Sequence, residues 1–250
     1  MLLYMDDRFA EHQTGRHPEC PERILRINAH LRASDLIQSC VLRNWHPAQI
    51  EQVTRIHDPE YVERIRKIVD DGGGHVEADT IASRKTLDVA MLAAGAAVDA
   101  VQAVLEGDDN RAACLIRPPG HHALHDAPMG FCFLNNVAIA AHHAIIAYGL
   151  DRILIVDFDV HHGNGTQDIF WTSPVVHFYS MHRWPFYPGS GLKEEIGTDA
   201  GWARHTTNRI ESGPPADEIV DAFESSVAHL SPRPPTTDSD QSCRLRRAPA

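Results

Sequence analysis

Ten residues, DFDVHHGNGT from Asp157 to Thr166, place two aspartates, two histidines and two glycines directly behind the apolar run Ile153 to Val156. Carboxylate oxygen and imidazole nitrogen are ordinary zinc ligands, and a catalytic zinc takes three of them while keeping a position open for water or substrate. Asp159 and His161 stand two apart, so on extended backbone both side chains leave the same face. This stretch therefore offers two ligands. Asp157, one step earlier on that face, is placed to accept a hydrogen bond that orients a histidine. Gly163 and Gly165 are expected to let the backbone turn sharply beneath the site, with Asn164 as a further polar partner. The plainer alternative is a capped loop with structural histidines.

A second group is RPPGHHA, which contains His121 and His122. Neighbouring residues on extended backbone point apart, so the pair is ill placed to share one metal and better suited to acid and base work. His142 and His143, inside a predicted helix, read as structural. A third group is aromatic: Phe131, Phe133, Trp184, Phe186 and Tyr187 exceed what solvent loops carry. Beside a metal they would wall a narrow slot for an aliphatic chain. Phe133 reads as core, Phe131 and Tyr187 as slot.

These residues need strands and helices to hold them. The stretch from His12 begins as a Gly/Pro loop and feeds a helix after Pro21, and Asp58 and Pro59 open a helix that Gly72 to Gly74 close. SRKTLDVAMLAAGAAVDAVQAVLEG reads as a long, largely buried helix and NNVAIAAHHAIIAYG as another. Ala112 to Ile116, RILIVDFD and VVHFYS read as strands, the second apolar enough to be buried on both faces. Helices alternating with strands predict a doubly wound, mostly parallel α/β sheet with right-handed crossovers. Ligands in such sheets bind beyond the carboxyl ends of the strands. All three chemistry-bearing loops, 117–131, 157–166 and 180–191, fall there.

Composition sets the outer bounds. At 250 residues and 43% hydrophobic, one α/β domain is expected. A formal charge of −11 argues against a nucleic-acid backbone as partner and tolerates a cationic substrate. Five scattered cysteines without a CxxC pair suggest neither a disulfide framework nor a cysteine zinc site. A reducing cytoplasm, with no membrane span or export signal, is the expected setting.

Together, RPPGHHA, GFCFLNNVAIAA, ILIVDFDVHHGNGTQDIFW, FYSMHRWPFYPGSG and TGRHPECPERI closely resemble the zinc-dependent histone deacetylase superfamily, over residues 1 to about 230. That superfamily includes bacterial deacetylase-like amidohydrolases, acetylpolyamine amidohydrolases and acetoin-utilisation proteins. Asn164 and the NNVAIAA run resemble the class II and bacterial branches more than class I, where an aspartate is usual at that position. The resemblance implies an arginase/deacetylase α/β fold and hydrolysis of an acetylated lysine or polyamine to amine and acetate. It implies His121 and His122 as the catalytic pair, with Asp157 and Asn164 as their partners and Asp159 and His161 as two of three zinc ligands. Phe131 and Tyr187 become the walls of the acyl-lysine tunnel. Backbone carbonyls of Asp157, Asp159, His161 and Ser180 become a potassium site.

The chain also departs from that pattern. The family's third ligand lies in a downstream AGFDAH-like segment and its transition-state tyrosine in a later Gly-Gly-Tyr motif; neither occurs here. A weak metal site, a poor catalyst and an exposed sheet edge are the expected consequences. The stretch 231–250 differs in kind, with no apolar periodicity, and is expected to be disordered or frameshifted. Were Cys243 to Pro249 encoded TGC CGG CTT CGA CGC GCA CCG, reading one base later would give Ala-Gly-Phe-Asp-Ala-His. Two other readings stand beside the hydrolase: a non-catalytic acyl-lysine-binding protein, and a manganese ureohydrolase, which needs further carboxylates.

Overall fold

The computed structural model describes residues 1–211 and 213–230. In chain order it forms β1 (Leu2–Met5), α1 (Pro21–Arg32), β2 (Val41–Leu42), α2 (Ile50–Val53), α3 (Pro59–Asp70), β3 (Gly73–Glu77), β4 (Thr80–Ser83), α4 (Thr86–Glu106) and β5 (Ala112–Leu115). There follow α5 (Asn136–Tyr148), β6 (Ile153–Asp157), α6 (Asn164–Ile169), β7 (Val176–Arg183), β8 (His205–Ile210) and α7 (Ala216–Leu230). The chain divides into two compact units, Met1–Ser212 and Gly213–Ala250; α7 is the described element of the second.

Parallel strands alternate with helices, as the sequence predicts, but they form two three-stranded sheets, β2-β1-β5 and β6-β7-β8. Every pairing in both is parallel. A two-stranded antiparallel hairpin, β3-β4, was not legible. Gly72 to Gly74 close α3 as expected, but Gly73 and Gly74 also begin the hairpin. Strand β7 runs past the predicted VVHFYS to Arg183, with Ser180 opposite Asp157 of β6. The part of the proposed tail at 231–250, with its frameshift reading, lies outside the described residues.

Helices α4 and α5 pack together at the centre. Small side chains make this possible: Ala90, Ala93, Ala94 and Ala96 of α4 and Ala138 and Ala141 of α5 are all buried. Asn135 caps α5, its side chain accepting from Ala138 N–H at 3.1 Å, and Gly107 and Gly149 end α4 and α5 in left-handed conformation. By length and composition α4 is apolar enough to cross a membrane, which corrects the expectation that no stretch qualifies. Its alanines and valines are instead largely buried inside the first unit, against Leu2, Tyr4 and Trp45 on one side and Val62, Ile139 and Phe178 on the other.

One buried ion pair ties the amino-terminal loop to the loop that follows β5. Arg117 donates to both Glu19 oxygens at 2.5 and 2.8 Å and to the carbonyls of Phe9 and His12, each at 2.7 Å. Both side chains are at most 3% exposed. Removing one partner leaves a buried charge uncompensated, which costs about 3–5 kcal/mol. Glu19→Ala should lower the unfolding free energy in urea by that amount; a change under about 1 kcal/mol would show that the pair adds little.

Candidate active site

The sequence-predicted residues meet at the carboxyl ends of β5 and β6. His121 and His122 sit on a turn closed by Ala123 N–H to Gly120 C=O at 3.1 Å, and their rings lie 4.0 Å apart at 44°. This corrects the expectation that neighbours point apart, because the backbone there is a turn and not a strand. The turn is anchored to α6 by Thr166 N–H donating to the His121 carbonyl at 3.1 Å.

The two imidazoles have different partners. His121 Nδ1 donates to Asp157 Oδ2 at 2.8 Å, since a carboxylate only accepts. His122 Nδ1 meets Asn164 Oδ1 at 2.7 Å, and the Asn164 amide nitrogen points to Met129 sulfur at 3.3 Å, so His122 also donates from Nδ1. Burial pushes both imidazoles toward the neutral form. For His121 the Asp157 hydrogen bond and charge outweigh burial and raise its pKa, while that of Asp157 falls. For His122 burial and the neighbouring His121 win over Asn164, and its pKa drops to about 4. One histidine therefore favours the proton and the other favours the lone pair.

Asp159 and His161 also come together, but not on extended backbone. Strand β6 ends at Asp157, and each aspartate then accepts the backbone N–H two residues on: Asp157 from Asp159 at 3.0 Å, Asp159 from His161 at 2.9 Å. Two successive side-chain turns of this kind bring His161 Nδ1 within 3.1 Å of Asp159 Oδ1. The carboxylate is 51% and the imidazole 31% exposed, open to one cavity. Among the described residues, no group of three His, Cys, Asp or Glu side chains forms a metal-binding cluster.

That cavity, about 680 Å³, is lined by His121, His122, Asp159 and His161 together with Phe131 and Tyr187. The Tyr187 ring meets His122 edge-on at 5.2 Å, and Phe186 stacks on His161 at 5.1 Å and 8°. Phe133 is core, at 1% exposure, and His142 and His143 lie on α5 away from the cavity. Gly130 has φ of 54°, and a Cβ there would run into the His122 ring. Gly163, by contrast, has φ of −78°; it does not provide the sharp turn expected of it. A Cβ at Gly163 would strike the Asp157 carboxylate, so the requirement there is close approach.

Sequence reasoning missed Glu19, Arg23 and Asp79, which line the same cavity. The first two lie in the HPECPER stretch, which reads as a loop feeding a helix and contributes to the family resemblance but singles out neither residue. Asp79 sits at the tip of the β3-β4 hairpin, where His17 Nε2 reaches its carbonyl at 3.0 Å.

Comparison with known proteins agrees with this geometry. The family profile of the histone deacetylase domain matches residues 17–233. The chain belongs to the histone deacetylase family. A probable deacetylase of Archaeoglobus fulgidus is 40% identical over 202 residues, covering 80% of this chain and 56% of that protein. The histone deacetylase-like amidohydrolase of Pseudomonas aeruginosa is 41% identical over 186 residues, covering 74% of this chain and 49% of its own. The chain thus spans about half the length of these deacetylase relatives. Among solved structures, the HDA15 HD domain superposes with a TM-score of 0.86 at 33% identity, over 90% of this chain and 67% of that one. The fold is the deacetylase α/β fold.

The histidine pair of this family member gives a direct test by NMR. In the metal-free protein, His122 should titrate near pH 4 and His121 above its ordinary value near 6.5, so that between them only His121 is charged. Asp157→Asn removes the charge that favours the imidazolium and should lower the His121 pKa. Two coincident midpoints would contradict the division of roles.

Proposed function

We propose that the chain hydrolyses an acetylated amine, an acetyl-lysine peptide or an acetylated polyamine, to free amine and acetate, with zinc as its metal. What carries this reading is the pairing of differently partnered histidines across one cavity from Asp159 and His161. The donors fit zinc in kind, one carboxylate oxygen and one imidazole nitrogen, and would supply two of its three protein ligands. Bound there, zinc would polarise the amide carbonyl and acidify water.

The chain's own residues do the rest. His122, neutral and with Nδ1 committed to Asn164, has its Nε2 lone pair free to take a proton from the attacking water. His121, whose protonated form Asp157 favours through its hydrogen bond and charge, gives a proton to the leaving amine. Phe131 and Tyr187 flank the apolar stem of the acylated amine and keep water from it. Asp79 at the cavity and the overall charge of −11 suit a cationic product. Carbonyls of Asp157, Asp159, His161 and Ser180 would hold a structural potassium ion beneath the β6-β7 ends, where Asp157 and Ser180 stand in register. The setting proposed with this reading is the cytoplasm.

With two metal ligands and no assigned donor for the developing oxyanion, turnover is slow; one lost oxyanion donor costs ~10²–10³ in rate. Acetate release from an acetyl-lysine peptide and from an acetylated polyamine should be measurable with zinc, absent with chelator, and abolished in His122→Ala. Binding of the peptide with no acetate above the His122→Ala background would replace the hydrolase with a binding module.

A further inference from the structure

One wall of the cavity carries a backbone conformation that its residue type disfavours. Met129 and Cys132 pair across a two-residue turn, Cys132 N–H donating to the Met129 carbonyl at 2.9 Å and Met129 N–H to the Cys132 carbonyl at 3.2 Å. Both residues between them have positive φ, 54° at Gly130 and 72° at Phe131. That combination belongs to the hairpin turn that takes Asn-Gly or Gly-Gly by preference, and a bulky residue at its second position is an outlier. Among the described residues the other non-glycine positions with positive φ are Asp199 and Ala203, so Phe131 is the aromatic one. Glycine at 131 would ease the turn but would take the ring out of the cavity wall. Such a conformation persists only where its surroundings hold it.

Two neighbours do so. Thr80 opens β4 and is fully buried, and its hydroxyl oxygen accepts the Phe131 N–H at 3.0 Å. The hydroxyl directs its own hydrogen to the carboxylates of Asp79 and Glu77, at 3.2 and 3.4 Å. His17 meets the Phe131 ring edge-on, at 4.5 Å and 86°. His17 Nδ1 accepts the Glu19 N–H at 3.1 Å, so Nε2 carries the hydrogen and donates to the Asp79 carbonyl at 3.0 Å. The amino-terminal loop and the β3-β4 hairpin are thereby tied to each other and to the turn. Thr80 itself does not line the cavity, and what it does there it does through Phe131.

We propose that Thr80 is a positioning residue of the substrate slot: by accepting the Phe131 N–H it holds that ring, backed by His17, where it grips the methylene stem of an acylated amine. The grip on substrate rests on the hydrolase reading above; the hold on the turn does not.

The test uses the full chain with zinc, an acetyl-lysine peptide as probe, and two changes at one site. Thr80→Val keeps the shape and removes the acceptor, whereas Thr80→Ser keeps the acceptor. In Thr80→Val the Phe131 amide should exchange about tenfold faster or more, and the peptide should bind about tenfold more weakly. Thr80→Ser should restore both. In a Phe131→Ala background, Thr80→Val should change peptide affinity by less than about twofold, because the two residues act as one unit. Phe131→Gly should also need more urea to unfold than Phe131→Ala, the reverse of the usual order, which tests the turn without touching Thr80. Unchanged Phe131 exchange in Thr80→Val, or a Phe131→Ala chain more stable than Phe131→Gly, would overturn the hold on the turn. Faster exchange with unchanged peptide affinity, or an undiminished Thr80→Val effect without the ring, would overturn the grip on substrate. A parent chain that binds no peptide would strike the hydrolase reading and the grip with it, while Phe131 exchange would still decide the hold.

Discussion

The Asp157 carboxylate has two oxygens, and both are committed: Oδ2 accepts from His121, and Oδ1 accepts from the backbone N–H of Asp159. The first fixes the tautomer of His121 and favours its protonated form. The second bends the chain out of β6 and begins the double turn that seats Asp159 against His161. A single side chain thus joins the histidine turn after β5 to the Asp159–His161 segment after β6. The arrangement requires a residue without a Cβ at 163, since any other side chain there would displace the carboxylate.

Holding Asp157 in place is the work of the surrounding packing. Strand β6 is fixed by β7 on one side and by α5 beneath, and α5 is tied to both loops: Asn135 bonds Thr166 at 3.1 Å and Asn136 bonds the Pro118 carbonyl at 3.2 Å. The Arg117–Glu19 pair holds the start of the histidine loop against the amino-terminal segment, and Glu19 in turn reaches the cavity wall. Site and core are therefore coupled. Among the described residues β6 pairs with β7 alone, and its other edge lies beside His121 and Asp159.

Much of this was legible in the sequence because the signals were local. Pro59 behind Asp58 marked a helix start that the structure keeps, and the apolar run before Asp157 marked a strand with chemistry at its carboxyl end. The partners of His121 and His122 were legible only through family resemblance, because they lie 36 and 42 residues away. What was misread came from assuming extended backbone: the D-x-D-x-H spacing serves successive side-chain turns, and the tandem histidines share a turn. What was missed came from tertiary approach. Asp79 reaches the cavity on a hairpin whose glycines read as a helix stop.

The central claim is that Asp159 and His161 hold the metal beside the histidine pair. X-ray absorption at the zinc edge, on the chain loaded with one equivalent, tests it most directly. The account predicts one imidazole, otherwise oxygen ligands and no sulfur, with the imidazole signal lost in His161→Ala. Sulfur at about 2.3 Å, or a spectrum unchanged in both Asp159→Ala and His161→Ala, would place the metal elsewhere and contradict it.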